Sequence, residues 1–85
     1  MSLYFFHLRD GVDVLLDPEG RELDGMPAIA AAALADARSI IGDDAFRGRI
    51  DLDQRIDVED TEGKLVHRLE FEEAVEIVRG NGRGA

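Results

Sequence analysis

The sequence predicts a single α+β domain: two β-hairpins forming a mostly antiparallel four-stranded sheet, one main helix on one face and a short C-terminal helix, in the order ββαββα. Three observations carry that prediction. Side chains alternate in character over residues 4–9, 50–59 and 64–71, the period of strands. Turn signals, Asp10-Gly11 and Asp60-Thr61-Glu62-Gly63, interrupt these runs. Between them lies an alanine-rich stretch whose apolar positions recur at helical spacing.

In residues 4–9, Tyr4, Phe6 and Leu8 share one face of a strand and Phe5, His7 and Arg9 the other. Asp10-Gly11 is expected to supply the two positive-φ positions of a type I′ turn, and Val12-Asp13-Val14-Leu15-Leu16 then resumes as the second strand. Asp17-Pro18-Glu19-Gly20 is a further turn, with proline presetting φ and glycine permitting the exit. A short lead, Arg21-Glu22-Leu23, reaches Asp24, the expected N-cap of the main helix, and Pro27 fits the first turn, where a missing N–H costs nothing. Ala30, Leu34, Ala37 and Ile41 form the predicted buried stripe, widened by Ala33 and Ile40, while Asp36 and Arg38 lie toward water. Gly42 is the expected stop. Small alanines let such a helix lie close to a sheet.

Residues 43–49 read as a polar connection carrying Phe46. Ile50, Leu52, Ile56 and Val58 are the apolar positions of the third strand; Leu65, His67, Leu69 and Phe71 line one face of the fourth. Residues 72–79 are expected to form the final helix, with Ala74, Val75 and Val78 inward and acids at its start, where the helix dipole favours them. The domain spans 3–79, and 80–85 is expected to be a flexible tail. Asp-x-Glu-Gly followed by a basic residue occurs at Asp60 and, with proline as the variable residue, at Asp17; such turns recur by chemistry alone, so the echo is read as shared turn chemistry and not as duplication.

Composition restricts function. Ten Lys+Arg against 19 Asp+Glu give a formal charge of −9, which repels phosphate backbones, so direct nucleic-acid binding is disfavoured. Tyr4, Phe5 and Phe6 superficially resemble a base-stacking platform, but the surrounding charge contradicts it. The absence of cysteine removes disulfides, thiolate chemistry and Cys-based metal sites. No apolar run is long enough to cross a bilayer, and the first residues lack a signal peptide's basic start, so a cytoplasmic location is expected and no membrane contact.

Chemical constellations are sparse. Asp51, Asp53, Asp57 and Glu62 fall at calcium-loop spacing, but Arg55 stands among the ligands and Ile56 where the loop needs glycine. His7 and His67 are the two imidazoles, each on a strand, and are read as hydrogen-bonding sheet residues. Ser2, Ser39 and Thr61 lack a nucleophile elbow, and Gly11, Gly20 and Gly25 lack the spacing of a phosphate loop. No catalytic residue, metal site or cofactor is assigned.

Tyr4-Phe5-Phe6-His7-Leu8-Arg9-Asp10-Gly11, followed by Asp17-x-x-Gly20-x-Glu22-Leu23, the alanine-rich helix ending near Ala37-Arg38 and the turn around Val58-Glu59-Asp60, resembles a small bacterial domain-of-unknown-function family. Its members open with a Tyr-(Tyr/Phe)-Phe-His-x-Arg-Asp-Gly strand. The similarity covers residues 3–78 and implies an uncharacterised protein, with no activity or ligand to carry over. It focuses attention on Arg9, Asp10, Gly11 and Asp17 as a structural cluster at the first hairpin, in which Arg9 pairs with a neighbouring acid to hold the turn.

The resulting expectation is a non-enzymatic interaction or regulatory module that self-associates as a homodimer through the uncovered sheet face or an edge strand. Its candidate surface is Phe5, His7, Leu15, Val66 and Arg68. Two other classes stay open: an antitoxin-like or repressor-associated component binding a basic protein partner, and a minor metal-dependent enzyme using His7 or His67.

Overall fold

A computed structural model describes residues 1–80. The tail expected over 80–85 lies, from residue 81 onward, outside the described residues. The fold is α+β, in the order β1 (Ser2–Asp10), β2 (Asp13–Leu15), β3 (Arg21–Leu23), α1 (Met26–Phe46), β4 (Arg55–Glu59), β5 (Leu65–Glu70) and α2 (Phe71–Ala74). All pairings are antiparallel, and the sheet has five strands where four were expected.

The additional strand is β3, read from sequence as a mere lead into the helix. β2 and β3 both lie along the same edge of β1, β2 beside its second half and β3 beside its first, while β4 takes the opposite edge and β5 follows. The Asp17 turn makes this possible. Where the chain leaves β1 between β2 and β3, the Asp17 carboxylate accepts the Phe6 N–H at 3.1 Å in place of a strand carbonyl. Its other oxygen accepts the N–H groups of Glu19 and Gly20, and Gly20 turns the chain back with φ 74°. A Cβ at Gly20 would sit 2.9 Å from the Tyr4 carbonyl oxygen, so only glycine allows this approach. Asp60 repeats the chemistry, accepting the Glu62 and Lys64 N–H groups before Gly63 at φ 80°.

The first hairpin turns through Gly11 and Val12, one residue later than expected. Gly11 alone has positive φ there, 63°, giving the glycine-first sign pattern of a type II′ turn in place of type I′.

Helix α1 starts at a Gly25 N-cap instead of Asp24 and runs through Gly42 to Phe46. The stop is Gly48, at φ 91°: its N–H reaches the Ala45 carbonyl and that of Arg49 the Asp44 carbonyl, a Schellman closure. The buried line is Ile29, Ala33, Ala37 and Ile41, with Leu34 and Ile40 flanking and Ala30 at the margin. Alanine at so many successive positions gives too little contrast to fix the phase of the first turns. Against this line pack Phe6, Ile56, Val58, Phe71 and Ala74, with Tyr4, Leu8 and Leu69 around them.

Helix α2 is one turn long. A reciprocal capping box between Glu70 and Glu73 starts it, and the Phe71 N–H reaches the Gln54 carbonyl. Arg38 Nε donates to the Ala74 carbonyl at its end. Val75 is already extended, so the helix expected to 79 stops four residues in, and Val78 is exposed instead of inward. β-branched residues at 75, 77 and 78 favour that extended exit.

Candidate functional site

The strand alternation sends Phe5, His7 and Arg9 of β1 to the face that α1 leaves uncovered. Register places Glu59, Asp57 and Arg55 of β4 directly opposite them, and Arg68 and Glu70 of β5 opposite Asp57 and Arg55. The result is a charged lattice with Asp57 at its centre. Asp57 Oδ2 accepts Arg9 Nε at 2.6 Å; Oδ1 accepts Arg68 Nε at 2.8 Å and Arg55 Nε at 3.3 Å. Arg9 and Arg55 are cross-strand neighbours of like charge, an arrangement that costs stability unless a counter-charge lies between them. Asp57 is that counter-charge, and the arginines in turn cover it to 2 % exposure. Burial alone would push its carboxyl up; the hydrogen bonds from Arg68 and Arg9 and the charges of Arg68 and Arg55 outweigh this and hold it below the usual carboxylate range. Arg68 is shifted up by the same hydrogen bond.

Beside this cluster, His7 Nδ1 accepts the Asp17 N–H at 3.1 Å, which leaves Nε2 as the hydrogen-bearing nitrogen, 3.4 Å from Glu59 Oε1. The Phe5 ring stacks on the imidazole, with centroids 6.3 Å apart. For Asp17, burial again acts upward, but the N–H groups of Phe6, Gly20 and Glu19 and the Arg21 charge prevail and lower its pKa.

A second feature lies on the helix side of the β2 edge. A groove of about 380 Å³ runs between α1 and the Asp17 turn, floored by Phe6, Leu8 and Ile40 and rimmed by Leu15, Leu16 and Arg21. Arg21 closes one end: its guanidinium lies 4.1 Å from the Phe6 ring centre and pairs with Asp36 of α1. Leu15 and Leu16 are 69 % and 62 % exposed, and with Val12 in the turn and Val14 on β2 they give the hairpin an apolar outer edge.

The expected interaction surface therefore does not form one patch. Phe5, His7 and Arg68 share the uncovered face, where His7 is buried and the surroundings are charged, not apolar. Leu15 pairs with Leu8 and so belongs to the opposite, helix side. Val66 is the extra residue of a bulge in β5, between the partners of Val58 and Glu59, and packs against the core. The expected turn cluster also divides. Asp10 closes the last pair before the hairpin loop, Gly11 is the loop's first residue and Asp17 ties the edge, whereas Arg9 reaches across the sheet to Asp57 instead of holding the turn. His67 pairs with Val58 on the helix side, two strands from His7, so the imidazoles do not meet.

Asp51 accepts the Asp53 N–H in a local turn while Asp57 is held in the arginine cluster, so the acids at calcium-loop spacing do not converge. Among the described residues no group of three or more His, Asp or Glu is placed to hold a metal ion, and no helix is long and apolar enough to cross a membrane. Arg55 and Asp57 escaped the sequence reading as site residues. The alternation Arg55-Ile56-Asp57-Val58-Glu59 signals a charged face, but only the register shows which cations meet there.

A family model described as a domain of unknown function, DUF6894, matches residues 3–72, which contain every member of this lattice. No curated protein and no solved structure matches the chain.

Proposed function

The chain belongs to the DUF6894 family of domains of unknown function, and we propose that it is a non-enzymatic interaction module that self-associates through the outer edge of β2. The observation that carries this reading is the run of exposed apolar residues along the edge hairpin, Val14 and Leu15 on the terminal strand β2, Val12 in the turn before it and Leu16 directly after it. An edge strand offers unpaired N–H and C=O groups, and one that is also apolar is a template for pairing with another chain. The other terminal strand, β5, is protected: it is bulged and carries His67 and Arg68.

A second copy fits this edge because antiparallel pairing about a two-fold axis brings the same apolar residues of both copies together. Each chain carries −9, so the copies repel at long range and contact depends on short-range burial. Sedimentation equilibrium over a wide concentration range tests the proposal. The wild type is expected to dimerise, more tightly as salt rises, whereas Leu15→Glu and Leu16→Glu remain monomeric with their fold intact by circular dichroism. A wild type that stays monomeric at high micromolar concentration and high salt overturns it.

A further inference from the structure

Arg9, Arg55 and Arg68 each spend Nε on the Asp57 carboxylate, and among the described residues none of their terminal Nη nitrogens donates to a protein acceptor. Three guanidinium forks are thus held around one point, with side-chain exposures of 33 %, 32 % and 46 %, so their free ends reach solvent. The flanking acids have hydrogen-bond partners of their own, the Glu70 side chain capping α2 and Glu59 facing His7, but both keep their charge on this face, and Glu70 acts on Arg68. With Glu59 and Glu70 counted beside Asp57, the face carries three acids against three arginines, so its preference for an anion rests on the free, solvent-facing guanidinium forks and not on a local excess of charge. A structural pairing for Asp57 requires one arginine, not three.

We propose that this cluster is a binding site for a phosphate monoester, whose oxygens take the Nη donors of Arg9, Arg55 and Arg68 on the uncovered face of the sheet. A phosphate monoester, carrying about −1.5 to −2 at neutral pH, offers the acceptor oxygens that three charge-assisted guanidinium forks bind most strongly. The donor geometry matches: guanidinium forks present paired N–H groups to oxyanions, and a buried carboxylate on Nε fixes their direction before the ligand arrives. The distant acids of the chain oppose binding only weakly, because at physiological ionic strength charges beyond about 8 Å are largely screened. The site lies on the opposite face from the β2 groove and does not depend on self-association.

The test is an NMR titration of the full chain, following the arginine Nε–H signals at constant ionic strength, with inorganic phosphate and O-phosphoserine as probes and acetate as the control. Saturable shifts at Arg9, Arg55 and Arg68 are expected with both phosphates and not with acetate. Shifts with inorganic phosphate alone identify a site for the free ion and overturn the monoester assignment. Arg68→Gln, the most exposed of the three, is expected to weaken O-phosphoserine binding about tenfold while the protein stays folded. Arg55→Lys, which keeps the charge but loses the fork, is expected to weaken it too. Shifts that never saturate, shifts matched by acetate, or an unchanged affinity in both variants overturn the proposal.

Discussion

At the scale of single residues, two aspartates carry more of the fold than their number suggests. Asp57 is nearly covered by three arginines, so Asp57→Ala leaves three cations facing one another across adjacent strands. Breaking a buried pair from one side can cost about 3–5 kcal/mol, but these arginines are partly solvated, so a loss of about 2 kcal/mol is expected in chemical denaturation. Both Asp57 and Asp17 have folded-state pKa values below the ordinary 3.8. A carboxyl with a depressed folded pKa contributes stability that is complete above its unfolded value and is lost as pH falls through the folded one. Thermal melts should therefore show a fall in melting temperature below about pH 4, and Asp57→Asn should flatten that slope while lowering the plateau. Gly20 supplies a third case. Its positive φ and its contact with the Tyr4 carbonyl make Gly20→Ala destabilising by about 1–3 kcal/mol, whereas an alanine at Gly11 meets only the φ penalty and should cost less.

At the scale of elements, the errors of the sequence reading share a cause. The second hairpin, the presence of α1 and the two faces of β1 follow from local pattern, because alternation and turn chemistry act within a few residues, whereas the N-cap falls one residue past Asp24, at Gly25. The end of α1 does not: Gly42 and Gly48 are both plausible stops, and tertiary contact of Ile41 with the core carries the helix through the first. Gly42 sits in that helix with open space where a Cβ would be, so Gly42→Ala should stabilise the protein by about 0.5–1 kcal/mol in thermal denaturation. A lost melting temperature would place the stop at Gly42 after all. β3 was missed because three residues carry no period, and its existence depends on a carboxylate eleven positions from the amide it accepts. The arginine cluster was half visible. Arg9 and Arg68 stood out in sequence, but the residue that gathers them lies on a strand between theirs, and no local pattern encodes that register.

At the scale of the molecule, the sheet separates two kinds of surface: charged and cross-linked on one side, where Val14 borders Arg9, and on the other an apolar margin at Leu15 and Leu16. That division makes the two proposals independent, since substitutions at Leu15 should leave phosphate titrations unchanged and substitutions at Arg68 should leave sedimentation unchanged. It also bears on how the chain is made. β1 ends up in the interior of the sheet, yet one of its edges is supplied by residues 13–23 and the other by residues 55–59. At synthesis rates of about 5–20 residues per second, the later partner trails the first strand by a few seconds. During that interval an aromatic strand stands half-zipped on the ribosome, and the polypeptide's most vulnerable moment comes before its longest helix has anything to lie on.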